Sequence, residues 1–133
     1  MIFWLAIALG GGLGAITRFG LGAWVNRHFG RRLPWGTLSV NVLGSGLVGL
    51  FAAWLLVHPS ESILIQSESN LWAGLGIGFC GSLTTISSWS LENLRLALDG
   101  RCLALLAYVG LTVALCLTAV TLGYLLGAYL VAV

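Results

Sequence analysis

Gly78-Phe79-Cys80-Gly81-Ser82-Leu83-Thr84-Thr85-Ile86-Ser87-Ser88-Trp89-Ser90 lies inside an apolar stretch long enough to cross a lipid bilayer. Six of the nine residues from Ser82 to Ser90 carry a hydroxyl. Each hydroxyl competes with the helix for nearby backbone groups, so such a run weakens it. Lipid offers an opened backbone no partners, and a break at this depth must face protein, water or an ion. Interrupted helices at mid-membrane bring free carbonyls and N–H groups to one point, a recurrent way to build ion sites. The stretch therefore predicts a broken transmembrane helix and, at the break, the site of action.

The rest of the chain suits the same solvent. Of 133 residues, 59% are hydrophobic and 8% charged, with mean hydropathy +1.01; a water-soluble domain carries roughly a quarter charged residues. Apolar stretches run from about Ile2 to Val25, Gly36 to Val57, Leu71 to Leu98 and Leu103 to Val133. Each reaches the ~20 residues needed to span a bilayer. The expected fold is all-α: an integral membrane four-helix protein with a broken third transmembrane helix, forming one domain over residues 1–133. Met1 to Ile16 is apolar without a preceding Arg or Lys. A signal peptide needs a basic start, so this segment reads as a first transmembrane helix.

Glycines sit at packing intervals. Gly10/Gly14, Gly74/Gly78 and Gly123/Gly127 are G-x-x-x-G pairs and Ser45/Gly49 is a small-x-x-x-small pair, spacings that let helix backbones approach closely. Gly10-Gly11-Gly12-Leu13-Gly14 lacks the preceding strand and the later acid of a dinucleotide loop. Between the apolar stretches, Asn26 to Pro34 and His58 to Asn70 read as loops, and Asp99-Gly100-Arg101 as a tight turn between helices.

The charges are lopsided. The +2 formal charge rests on six arginines and no lysine, too few and too scattered for a nucleic-acid partner. Arg18, Arg27, Arg31, Arg32, Arg95 and Arg101 all belong to the side of the first and third connections, while Glu61 and Glu68 lie in the second. The positive-inside rule places the arginine side in the cytoplasm and both termini outside, in the inner (plasma) membrane.

Polar residues inside a membrane are expensive and stand as functional candidates. Asn41 is either an interhelical packing bond or an amide donor to a polar pore. Tyr108, Thr112 and Cys116 follow at four-residue spacing and share one helix face. Thr118 is expected to bond its own i−4 carbonyl. Arg18 reads as snorkelling near the end of the first span, and Glu92 and Arg95 as a local ion pair. His28 and His58 have no paired ligand. Cys80, Cys102 and Cys116 lack metal or disulfide spacing and read as buried free thiols. With no Ser–His–Asp set and no paired carboxylates within the spans, the chain is not expected to be an enzyme.

Gly11-Gly12-Leu13-Gly14-Ala15-Ile16-Thr17-Arg18-Phe19, Pro34-Trp35-Gly36-Thr37-Leu38-Ser39-Val40-Asn41 and Gly78-Phe79-Cys80-Gly81-Ser82-Leu83-Thr84-Thr85 together resemble, in content and order, the Fluc/CrcB family of fluoride channels. The resemblance covers nearly the whole chain. It implies an antiparallel dimer with two fluoride pathways and a structural Na⁺ at the two-fold axis, held by the backbone carbonyls of Gly81 and Thr84 from both subunits. It implies that Asn41 lines the pore and that Ser87, Ser88, Thr112 and Cys116 hand the anion along, with Glu92 matching an acid close to the pore. Fluoride is strongly hydrated, so hydroxyl and amide donors must replace its lost water, and weak, repeated contacts favour conduction.

The chain departs from the family where two phenylalanines present their edges to fluoride: Ile86 and Trp89 stand there, and Ser88 replaces the hydroxyl residue between them. Ile86 has no ring edge, whereas Trp89 keeps one and adds an indole N–H. The departure and the arginine bias share one explanation, that this chain is half of a paralogous heterodimer whose partner inserts the other way. A homodimeric channel, a non-conducting structural subunit and a small coupled transporter are the alternatives. The last is disfavoured because no acid precedes Glu61.

Overall fold

α1 (Ile2–Phe29) runs for 28 residues as one helix. The computed structural model describes residues 1–29, 33–57 and 70–132, and these are all-helical, with no strand among them. Arg31 and Arg32, and the connection that carries His58, Pro59, Glu61 and Glu68, lie outside the described residues. α1 extends through Asn26, Arg27 and His28, which the sequence reading assigned to the first loop. Two side chains account for the extension. His28 Nδ1 lies 2.9 Å from the Trp24 carbonyl one turn back. Asn26 Oδ1 accepts the Gly36 N–H at 2.8 Å, satisfying one of the orphan donors that open α2 (Trp35–Val57).

The third segment is the irregular one. Ala73–Cys80 is a π-helix, continued by a single helical turn, Gly81–Leu83. Thr84 (φ −78°, ψ 155°) and Thr85 (φ −151°, ψ 122°) are extended, and α3 (Ile86–Leu98) begins directly after them. The sequence reading placed the irregularity from Ser82 onward; the helix is already wound to i→i+5 spacing nine residues earlier, at Ala73. π-helical turns are rare and concentrate at functional sites.

α3 ends where Asp99-Gly100-Arg101 was expected to turn. Gly100 adopts φ +68°, and its N–H donates to the Ala97 carbonyl at 3.0 Å while the Arg101 N–H donates to Leu96 at 3.0 Å. This pair of bonds is a Schellman cap, and its left-handed residue is the one position here that demands glycine. Gly100→Ala is expected to lower stability by about 1 kcal/mol, the penalty of a left-handed L-residue, measured by thermal unfolding in detergent. α4 (Cys102–Ala132) follows, 31 residues long, about 46 Å at the helical rise.

α1, residues Trp35–Trp54 of α2, and α4 are long and apolar enough to cross a membrane. Their outward faces carry Ile2, Trp4, Leu9, Ile16, Phe19, Leu103, Leu122 and Leu130, all exposed, as side chains facing lipid would be. Packing is most extensive between α2 and α4, then between α1 and the π-helix. Both seams are glycine seams. A Cβ on Gly14 would collide with the Phe79 carbonyl, and one on Gly123 with the Gly46 carbonyl, so these backbones nearly touch. Leu38, Leu96 and Tyr108 form a buried cluster that ties α2, α3 and α4 together.

Candidate functional site

The extended pair Thr84-Thr85 is held open by a residue 44 positions away. Asn41, in α2, accepts the Thr85 N–H on Oδ1 at 2.8 Å and donates Nδ2 to the Thr85 carbonyl at 3.1 Å. One side-chain amide thus pairs with both backbone groups of Thr85, as a neighbouring strand would. The Thr85 hydroxyl caps α3, accepting from Ser88 N–H at 3.2 Å and lying 3.1 Å from Ser87 Oγ.

These bonds strip two carbonyls of their helical donors. In an unbroken helix the Gly81 carbonyl would receive the Thr85 N–H and the Thr84 carbonyl the Ser88 N–H. The first donor goes to Asn41 and the second to the Thr85 hydroxyl. Arg18 Nη1 approaches the Thr84 carbonyl at 3.5 Å, the long limit of a hydrogen bond. Arg18 lies well inside α1, eleven residues before Phe29. The expected snorkelling at a helix end is therefore replaced by an inward reach to the break.

Two cavities meet at Thr85. One, of about 410 Å³, lies between α1, α2 and the start of α3 and is lined by Arg18, Asn26, Thr37, Thr85 and Ser88 among others. The second, of about 420 Å³, is bounded by Asn41, Ser45, Thr84, Thr85, Ile86, Trp89, Thr112 and Cys116. Six residues singled out in the sequence (Asn41, Thr84, Ile86, Trp89, Thr112 and Cys116) therefore share one cavity. Ser88 lies in the other, and Ser87 lines neither. Ile86 is 77% exposed, at the open side of its cavity. Sequence reasoning misses Thr85 and Ser45, because a hydroxyl within a motif or a small-residue pair carries no sign of the cavity it lines.

Glu92 accepts hydrogen bonds from the Thr37 hydroxyl at 2.7 Å and the Tyr108 hydroxyl at 2.9 Å, linking α3 to α2 and α4. The ion pair expected with Arg95 is not formed, because the carboxylate is satisfied by these hydroxyls. Tyr108 is 1% exposed and Thr112 6%, and the Thr112 hydroxyl donates to the Tyr108 carbonyl at 2.7 Å. Thr118 donates to Ala114 at 2.8 Å, as expected of an isolated membrane hydroxyl. All three cysteines are free, but only Cys80 is buried; Cys102 is exposed at the start of α4 and Cys116 is half-buried. At one end of the molecule Asn26, Pro34, Glu92, Arg95, Asp99 and Arg101 line a further cavity of about 270 Å³. Leu33 and Pro34, before α2, thus lie at the same end as Asp99 and Arg101, between α3 and α4.

Among known families, the one described as CrcB-like protein, Camphor Resistance (CrcB), matches residues 5–124. A protein of Hahella chejuensis named fluoride-specific ion channel FluC is 44% identical over 117 residues, covering 88% of this chain and 87% of its own. FluC 2 of Bradyrhizobium diazoefficiens, likewise named a fluoride-specific ion channel, is 40% identical over 122 residues, 92% of this chain and 86% of its own. The Geobacter metallireducens FluC is 40% identical over 130 residues, covering 98% of this chain and 100% of its own.

Proposed function

We propose that this chain, which belongs to the CrcB family of multi-pass membrane proteins, is a passive fluoride-selective channel that lets toxic fluoride leave the cytoplasm. The names of its relatives suggest the ion. The observation that carries the reading is the meeting of two cavities at Thr85, where Asn41 holds the helix open. An anion attracted by Arg18 enters the first cavity, passes Ser88 and Thr85, and continues along Asn41, Trp89, Thr112 and Cys116. Ile86 stands at its open side, where a second subunit would close the path, and the exposed Ser87 follows it in the chain. Glu92 stays beside the route, its oxygens covered by Thr37 and Tyr108.

Acid–base chemistry supplies the direction. Fluoride crosses membranes as neutral HF, ionises in the cytoplasm and is trapped there as the anion. A membrane potential negative inside then drives the anion out through any selective pore, at about 2.3 kcal/mol per charge per 100 mV. No coupled energy source is required.

A structural Na⁺ is part of the proposal, and the donor chemistry fits it. Gly81 and Thr84, the carbonyls proposed to hold it, are the two whose helical donors are diverted, and hard cations take oxygen ligands. Gly81 itself is exposed. When bound, the ion would supply a fixed positive charge joining the breaks of two antiparallel subunits.

The arginine bias supports a second reading, in which the working unit is a heterodimer with an oppositely inserted paralogue and this chain sits in the inner (plasma) membrane with its termini outside. Fluoride efflux from liposomes containing the purified chain alone, followed with a fluoride electrode, tests both. Rapid efflux with chloride retained supports a homodimeric channel. Efflux appearing only when the paralogue is co-reconstituted supports the heterodimer. No efflux in either case, from well-folded protein, overturns the channel and leaves a non-conducting subunit.

A further inference from the structure

Three cavities follow one another through the molecule, and single residues join them. Thr85 lines both the Arg18 cavity and the cavity beside the break. At the other end of the Arg18 cavity Asn26 has the same place. Among the described residues it alone lines both that cavity, of about 410 Å³, and the end cavity of about 270 Å³. Leu33 and Pro34 border the end cavity, whereas Gly36 and Thr37 border the Arg18 cavity. The boundary therefore falls at the first turn of α2.

The Asn26 side chain crosses this boundary. It reaches from α1 to α2, where Oδ1 accepts the Gly36 N–H at 2.8 Å. A Cβ on Gly36 would lie 2.6 Å from the Gly22 carbonyl oxygen and 2.7 Å from Asn26 Nδ2, so the two helices and the amide are in contact here.

Asn26 and Asn41 are alike but for one bond. Each takes a backbone N–H on Oδ1 at 2.8 Å. Asn41 returns an Nδ2 hydrogen to the Thr85 carbonyl at 3.1 Å. Asn26 Nδ2 has no acceptor among the described residues and is not sealed from solvent. An amide NH₂ is a donor group, suited to an anion that has shed water. The end cavity is formally neutral, with Arg95 and Arg101 set against Glu92 and Asp99, so its charge neither traps nor repels an anion on the way to that amide.

We propose that Asn26 is the threshold through which fluoride passes between the end cavity and the Arg18 cavity, with Nδ2 donating to the ion as it crosses, an inference that rests on the channel reading above. Arg18 lies eight residues earlier on the same helix, about 12 Å away at the helical rise, and lines the cavity the ion then enters.

Asn26→Asp in liposomes tests the threshold. Its carboxylate still accepts the Gly36 N–H, so the variant is expected to unfold at the wild-type temperature in detergent. It loses the donor and sets a negative charge at the boundary. Fluoride efflux is therefore expected to slow roughly tenfold or more, the usual worth of a hydrogen bond to a charged group. Arg27→Gln is the control. Arg27 is exposed and lines neither cavity, and its loss changes the net charge by the same one unit; normal efflux is expected. Asn26→Asp that conducts as the wild type does overturns the proposal and leaves Asn26 a packing bond. Equal slowing by Arg27→Gln also overturns it, because general surface charge then sets the rate. Should Asn26→Asp fail to fold, Asn26→Gln takes its place. It is neutral and one methylene longer, narrows the same passage and is expected to slow efflux; an unchanged rate overturns the proposal. Wild-type protein that passes no fluoride sinks the channel reading, and the threshold with it.

Discussion

Asn41→Leu is expected to abolish fluoride efflux, a loss of roughly a hundredfold or more, equivalent to about 2.7 kcal/mol on the barrier. Asn41 is the residue that satisfies both backbone groups of Thr85, through bonds of 2.8 and 3.1 Å. Leucine matches its size and offers neither a donor nor an acceptor. Each unmet backbone group costs about 1–3 kcal/mol when buried, and lipid cannot replace the lost partner. The break would then close toward helix, and the Gly81 and Thr84 carbonyls would recover their ordinary donors. Asn41→Asp separates structure from conduction. Its carboxylate still accepts the Thr85 N–H, but the second oxygen faces the Thr85 carbonyl and places a negative charge on the anion's route. Asn41→Asp should therefore unfold at a temperature nearer the wild type than Asn41→Leu does, yet conduct no better. Wild-type efflux from either variant, measured in liposomes, would remove Asn41 and the break it supports from the pathway.

How much of this was legible before the fold was known depends on the range of each interaction. The apolar stretches at Ile2–Val25 and Leu103–Val133 are long and uninterrupted, so the helices α1 and α4 follow from composition. The Asp99-Gly100-Arg101 turn is equally local, since only glycine suits its left-handed residue. The hydroxyl run from Ser82 to Ser90 contains the extended residues Thr84 and Thr85. It could not give the partner, because the Asn41–Thr85 clasp joins positions 44 residues apart and an asparagine carries no record of what it will face. The π-helix was invisible for another reason. Ala73–Cys80 is uniformly apolar, and a run without polar punctuation has no period from which i→i+5 winding can be told from i→i+4. Arg18 was misplaced because α1 was expected to end at Val25, and a helix drawn four residues short brings every cation on it closer to the end. Glu92 and Arg95 show the same limit: their spacing permits an ion pair, but Thr37 and Tyr108 arrive from two other helices and take the carboxylate.

Gly123→Val is expected to prevent the chain from folding stably, whereas Gly110→Val, the same change on the same helix, should be tolerated. The contrast follows from what a side chain would meet. A Cβ at Gly123 would drive into the Gly46 carbonyl, with the Gly46 carbon and Cα at 3.0 and 3.2 Å, whereas one at Gly110 meets nothing within 4 Å. The obstruction at Gly123 is backbone, which cannot rotate aside as a side chain can, so α2 and α4 would have to separate. Overpacking a tight core costs about 1–3 kcal/mol; forcing apart the most extensive helix seam in the molecule belongs at the top of that range or beyond. A total stability on the order of 5–15 kcal/mol leaves little reserve for such a loss. The seam also carries function, because α2 holds Asn41 and α4 holds Thr112 and Cys116, and their cavity exists only while the two helices lie close. Gly123→Val should therefore elute as aggregate on size-exclusion chromatography in detergent, while Gly110→Val elutes and unfolds as the wild type does. A monodisperse Gly123→Val protein with unchanged unfolding temperature would mean that the helices do not approach at this point, and the cavity built on that approach would fall with it.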